Sequence, residues 1–187
     1  MKSYDYEHRE GVHEISWEDF AAMYRSLVEA LAGRGVDTVI GVARAGLFPA
    51  TAVAAGLRCD LYPVRVTRRE GDRVVYDSPV WKVDVSPEVA GRVVAVIDEI
   101  ADTGETLALV ANRAHQLGAA RVVTAALVCH TWANPAPDVA VLTSDALVIF
   151  PWDRRVYVDG VWQIHPELRE ALGRQEKKDT ESKNDGT

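Results

Sequence analysis

Two adjacent carboxylates, Asp98-Glu99, follow an unbroken apolar run, Val93-Val94-Ala95-Val96-Ile97. Ile100-Ala101 separate them from a third acid, Asp102, which opens Asp102-Thr103-Gly104-Glu105-Thr106. Residue types in this order suit a particular chemistry. Consecutive backbone N–H groups opening a helix bind an anion, and the helix dipole adds to the attraction. Thr103 and Thr106 supply hydroxyl donors, and Gly104 lets the backbone come close to a phosphate. Glu105 contributes only its N–H, since its carboxylate must turn away from an anion. Asp98 and Glu99 are wrong for a phosphate but right for its neighbours: sugar hydroxyls, which donate to carboxylates, or a Mg²⁺ ion. A phosphate cradle beside a diol cradle describes a ribose 5-phosphate.

Placing these groups requires a strand, a tight turn and a helix. Four of the five residues at 93–97 are β-branched, the pattern of a strand buried on both faces and ending at the acids. Leu107, Val110, Ala111 and Ala114 recur at helical spacing after the turn, and Gly118 ends that helix. Upstream, Ser16 and Asp19 form a capping-box variant, and Trp17, Phe20, Tyr24, Leu27, Val28 and Leu31 define one helical face. Asp37–Val42, Asp60–Val66 and Arg121–Val128 read as further strands, and Leu47–Gly56 as a helix. Val74-Val75-Tyr76 and Val80–Val83 suggest a hairpin inside a charged insertion at 67–91. Residues 139–141 and 146–150 read as short late strands. Residues 156–162 read as a hairpin about Asp159-Gly160, and Pro166–Leu172 as a final helical stretch. Residues 1–15 show no regular pattern. Alternating strands and helices imply an α/β fold with a mainly parallel sheet, whose ligands bind at the carboxyl ends of the strands. The expected organisation is one domain over 1–173 and a polar, disordered tail over 174–187.

Composition excludes several classes. The 187 residues are 48% hydrophobic and 26% charged, ordinary for a globular protein. A net charge of −7 argues against nucleic acid or an anionic membrane as a partner. Cys59 and Cys129 lie in apolar surroundings, which points to free thiols in a reducing compartment. No stretch is apolar enough to span a bilayer, and the N-terminus is unlike a signal peptide, so a cytoplasmic address is expected. There is no Gly-Lys-Ser/Thr phosphate loop and no Gly-x-Gly-x-x-Gly fingerprint.

The run Asp98 to Leu107 resembles the phosphoribosyl-pyrophosphate (PRPP) signature of the type I phosphoribosyltransferases: hydrophobics, two acids, two mostly apolar residues, then Asp-Thr-Gly-x-Thr. The resemblance implies that family's fold, a central parallel sheet with flanking helices, a small hood and a flexible lid loop. It also implies its activity, displacement of pyrophosphate from PRPP by a base nitrogen, with Mg²⁺ as cofactor and copies that pair. Read alone, Arg44 in Gly41-Val42-Ala43-Arg44-Ala45-Gly46 is a surface residue of a βα-turn. The resemblance makes Ala43, Arg44 and Ala45 the pyrophosphate loop, in which one peptide is often cis, with Arg44 supplying charge to the leaving group. It assigns Asp98 and Glu99 to the ribose diol, Glu99 also to the metal, and Asp102 to proton movement at the base. The insertion at 67–91 becomes the lid, with Arg68, Arg69, Arg73 or Lys82 as candidate cations; for each of them a solvated charge is the equal alternative.

The C-terminal third, Cys129 to Asp138 and then Leu147-Val148-Ile149-Phe150-Pro151-Trp152-Asp153, resembles the bacterial and archaeal xanthine/guanine/hypoxanthine branch. That branch has a Lys at the position of His130, reading the 6-oxo group, and an aromatic at the position of Leu147, stacking on the purine. Backbone groups at Val148 would read the base edge, and Asp153 would hold a metal-bound water. His130 and Leu147 depart from the pattern. Trp132 and Trp152 are alternative stacking residues, with core packing the other reading for Trp152. The implied function is PRPP-dependent ribosylation of a 6-oxopurine, within purine salvage. Alternatives are a modified purine or deazapurine acceptor, or a non-catalytic PRPP or nucleotide sensor.

Overall fold

The structure is a computed structural model, and it describes Arg9 and residues 11–70, 73–77, 79–166, 168–169 and 171–173. The expected tail, 174–187, lies outside these residues. In chain order the elements begin with β1 (Val12–Glu14), α1 (Trp17–Ala32), β2 (Thr38–Val42), α2 (Leu47–Leu57) and β3 (Asp60–Thr67). Then come β4 (Arg69–Glu70), β5 (Arg73–Val74), β6 (Val80–Val83), a 3₁₀ turn at Pro87–Val89, β7 (Val93–Ala101) and α3 (Glu105–Gln116). The rest are β8 (Arg121–Cys129), β9 (Val139–Thr143), β10 (Leu147–Ile149), β11 (Arg155–Val158) and β12 (Val161–Ile164). Contacts group the chain into two compact units: residues 21–144, and the described part of residues 1–20 with 145–187. Among the described residues no helix is long and apolar enough to cross a membrane.

In the larger unit a six-stranded sheet has the order β6-β3-β2-β7-β8-β9. All of its pairings are parallel except β3 with β6. Every residue of β2 is buried, as are Val94 to Ile97 of β7. These are the strands that read as continuous apolar runs, and the central place in a covered parallel sheet is the reason. Leu107, Val110 and Ala114 of α3 join Ile40, Val64, Val94, Val96 and Ala126 in one core cluster. Val80–Val83 does not pair with residues 74–76 as the sequence suggested. It extends the main sheet against β3, while β4 and β5 form the small hairpin. Val75 is 51% exposed and so gives a strand no core to face, whereas Val64 and Val66 of β3 pack into the core cluster with Trp81.

The smaller unit holds a strand that the sequence did not reveal. β1 lies parallel to β10, pairing Val12 with Leu147 and Glu14 with Ile149. All three β1 residues are exposed, so no alternation marked it; the ladder to a buried partner makes the strand. The capping box forms, with the Asp19 N–H donating to Ser16 Oγ at 3.0 Å and the Ser16 N–H to Asp19 Oδ2 at 2.9 Å. The helical face of α1 is Phe20, Met23, Leu27 and Leu31; Trp17 is 53% exposed and stands outside it. Asp159 and Gly160 both have positive φ in the two-residue turn between β11 and β12.

Candidate active site

The acids do not sit beyond the end of the central strand. β7 runs on through Asp98 and Glu99 to Ala101, because β8 continues beside it, pairing Asp98 with Ala126 and Ala101 with Cys129. Ladder bonds hold the backbone whatever the side chains are, so polarity was a poor marker of the strand end. Asp98 is half-buried, and its Oδ1 accepts from the Glu99 N–H at 2.9 Å. Burial pushes the Asp98 carboxyl well above the usual carboxylate range, and the neighbouring Glu99 carboxylate adds to the shift by charge and hydrogen bonding. The loop after β2 lies directly against this acid: a Cβ on Gly46 would be 2.6 Å from Asp98 Oδ1 and 2.9 Å from Asp98 Cα. In the same loop the Ala43–Arg44 peptide is cis. Arg44 is exposed, Ala43 and Ala45 are half-buried, and the Ala43 N–H donates to the Val64 carbonyl at 2.7 Å.

After Ala101 the chain needs only three residues to reach α3. Gly104 caps that helix with φ 83° and ψ −13°. The Glu105 N–H reaches Thr103 Oγ1 at 3.4 Å, and Glu105 itself is exposed while Thr106 is half-buried. The glycine answers to a protein neighbour as well as to any ligand. A Cβ at this position would be 1.9 Å from the Pro135 carbonyl oxygen. The Asn134 N–H donates to the Thr103 carbonyl at 2.9 Å, so the loop after β8 is fastened to the turn.

Asp102 is held from the same side. The Trp132 indole N–H donates to Asp102 Oδ1 at 3.1 Å. Under the indole lies His130, its ring stacked at 4.5 Å between centroids and 21° between planes. His130 is 1% exposed, with Nδ1 at 2.5 Å from the Ser144 carbonyl and Nε2 at 4.0 Å from Asp102 Oδ1. A carbonyl oxygen only accepts, so Nδ1 carries the proton of that bond. Donation to a base carbonyl, the role expected of His130, would therefore fall to Nε2, which is buried beneath Trp132 and bears a proton only in the imidazolium.

Two of the four expected lid cations have neighbours within the insertion itself. Lys82 Nζ donates to the Tyr76 hydroxyl at 3.0 Å and lies 3.6 Å from Glu70 Oε1, and that hydroxyl in turn donates to Glu70. Arg68 Nε donates to the Tyr76 carbonyl at 3.1 Å. The side chains of Arg69 and Arg73 lie outside the description.

The remaining expected residues belong to the smaller unit. Leu147 is fully buried and joins Ile149, Leu168 and Ala171 in a core of their own, so it offers no face for stacking. Val148 is also buried. The Leu147 N–H and the Ile149 carbonyl bond towards β1, and alternation along a parallel strand turns the Val148 N–H and carbonyl to the other edge of β10. Trp152 stacks on Phe150 at 4.9 Å and meets Phe20 edge-on at 5.2 Å, which is core packing. Asp153 is exposed, its N–H on the Phe150 carbonyl at 3.1 Å. Ser144 and Pro135 were missed by the sequence reading; contact across more than ten residues defines them, and no local signal does.

Comparison with known proteins agrees with this geometry. A purine phosphoribosyltransferase from Pyrococcus horikoshii Ot3 superposes with a TM-score of 0.69 at 27% identity, covering 79% of this chain and 98% of that one. The xanthine-guanine-hypoxanthine phosphoribosyltransferase of Helicobacter pylori gives 0.60 at 18% identity, covering 78% and 93%, and so speaks for the fold. So does a hypothetical protein of Neisseria gonorrhoeae with bound ppGpp, at 0.65, 20% identity, and 91% and 99% coverage. The family model for the phosphoribosyl transferase domain matches residues 13–156. That span takes in the whole six-stranded sheet, the loop at 43–46 and the turn at 102–104, and the chain accordingly belongs to the phosphoribosyltransferases.

Proposed function

We propose that this enzyme transfers the 5-phosphoribosyl group of PRPP to a purine-type base, a 6-oxopurine being favoured, and releases pyrophosphate. One observation carries the reading: the acid pair on β7, the turn opening α3 and the Gly46 loop converge at the carboxyl ends of adjacent parallel strands. The N–H groups of residues 104–106 cradle the 5-phosphate. Asp98 and Glu99 accept from the ribose hydroxyls, and the loop at Arg44 takes the pyrophosphate. Asp102 accepts the proton released as a ring nitrogen of the base attacks the anomeric carbon. Backbone groups of Val148 read the base edge, and the 6-oxo preference follows from the likeness of the Leu147–Asp153 run.

Mg²⁺ fits the donors present. Among the described residues no three His, Cys, Asp or Glu side chains cluster as a metal cage would need. An adjacent pair of carboxylates is what Mg²⁺ uses when substrate phosphates complete its shell. Asp98 and Glu99 would hold it, with Asp153 the candidate for a metal-bound water, and the ion would supply charge to the leaving pyrophosphate. Positioning and exclusion of water are then the protein's own contribution.

The test is pyrophosphate release from PRPP and Mg²⁺ over a panel of hypoxanthine, guanine, xanthine, adenine and deazapurines. Asp102→Asn is expected to cut turnover about a hundredfold with PRPP affinity within about threefold of wild type; equal losses in both would contradict its role near the base. Gly46→Ala is expected to lower turnover by a similar factor, because its new methyl displaces the Asp98 carboxylate. Wild-type turnover in that variant would mean that the two loops are not coupled. The buried Leu147 and His130 favour a second reading, a nucleotide sensor on the same fold. PRPP binding with silence across every base would select it.

A further inference from the structure

The two side chains that should recognise a base are both buried, yet an aromatic surface stands beside the catalytic carboxylate. We propose that Trp132 is the platform on which the base stacks and, through its indole N–H, the residue that positions Asp102. This inference rests on the reading of the chain as a PRPP enzyme, and it names the group that reads the base.

Trp132 follows β8 at the carboxyl end of the sheet, where the other functional loops lie. One face of its indole rests on His130, and 46% of the residue remains exposed. Fixed backing of this kind suits a stacking surface. The Nδ1–H bond to Ser144 stops the imidazole from turning, and the imidazole supports the indole. Burial fixes Leu147 as core of its own unit, so its side chain presents no face to a base. The indole edge meanwhile donates to Asp102 Oδ1 at 3.1 Å, which fixes that carboxylate beside a base lying on the ring. A π-face accepts any flat heterocycle, so this platform selects for purine size and stacking strength rather than for one exocyclic group. A purine or deazapurine satisfies it.

The test compares two probes, inosine 5′-monophosphate and ribose 5-phosphate, which lacks the base, by calorimetry with Mg²⁺. Trp132→Ala is expected to weaken the nucleotide about tenfold or more, while ribose 5-phosphate affinity stays at its wild-type value. Trp132→Phe keeps an aromatic face and loses the N–H. It should bind the nucleotide within about threefold of wild type yet turn over about tenfold more slowly, an effect in kcat rather than in base KM. Quenching of tryptophan fluorescence by the nucleotide should be smaller in Trp132→Phe than in wild type. Nucleotide affinity unchanged in Trp132→Ala would overturn the platform, and full turnover in Trp132→Phe would overturn the positioning. Equal weakening of both probes in Trp132→Ala, with a lower melting temperature, would show a structural role only. If wild type binds neither probe, the PRPP reading itself fails, and the platform with it.

Discussion

Replacing Asp98 with Asn is expected to make the protein harder to unfold at pH 8 and nearly useless as an enzyme. Asp98 sits on β7 with Gly46 packed against it and the Glu99 carboxylate beside it, and its folded-state carboxyl lies well above the usual range. An acid whose folded pKa is raised above its unfolded value favours the fold fully only below the unfolded value. That contribution is lost as pH climbs through the folded pKa, since the native state must then hold an unwelcome charge. Asn carries none. Its Oδ1 can still accept from the Glu99 N–H, and its Nδ2–H can donate to the Glu99 carboxylate. The melting advantage of Asp98→Asn should therefore be absent near pH 4, grow with rising pH and level off once wild-type Asp98 is ionised. Activity moves the other way, because in the proposed site diol and Mg²⁺ both use this carboxylate; a loss of about a hundredfold or more in kcat/KM is expected. Thermal melts across pH 4–9 together with pyrophosphate release check both halves. A variant that melts at or below wild type at pH 8 would show that ionising this carboxyl costs the fold nothing, and one that turns over normally would show that the reaction does not use it. The same linkage predicts proton release when PRPP and Mg²⁺ bind at a pH where wild-type Asp98 is still protonated, readable as a buffer-dependent heat.

Gly104→Ala should be the most damaging single methyl in the larger unit. Two costs coincide there. The residue has φ 83°, a region that costs an L-residue about 1–2 kcal/mol. The new Cβ would also stand 1.9 Å from the Pro135 carbonyl oxygen, which is backbone and cannot rotate away. Relief requires the loop after β8 to separate from the turn, breaking the Asn134–Thr103 hydrogen bond and disturbing the approach of Trp132 to Asp102. A loss of about 4 kcal/mol or more in chemical denaturation is expected, with turnover lost even where the protein stays folded. A cost below about 1 kcal/mol would mean that the turn and the loop are not in contact in solution. Since the proposed phosphate cradle and the Trp132–Asp102 bond share this junction, PRPP binding and base chemistry should fail together, unlike in Trp132→Phe.

Much of this was written locally in the chain. A strand buried on both faces announces itself by β-branched residues without alternation, so Thr38–Val42 and Val93–Ile97 were legible, as were the amphipathic α3 and the capping box at Ser16. The acid pair and the Asp-Thr-Gly-Glu-Thr turn suggested a chemistry because anion binding at a helix start is a property of contiguous backbone. What the sequence could not settle depends on partners distant in the chain. β1 is a strand because β10 lies beside it, β7 runs past its acids because β8 accompanies it, and β6 is drawn to the edge of the main sheet by β3. His130 read as a donor to the carbonyl of a base; the structure buries it against Ser144 and Trp132. Short-range periodicity encodes which face of an element is apolar, whereas tertiary contact alone decides what lies against that face, and so which side chains remain to meet a ligand.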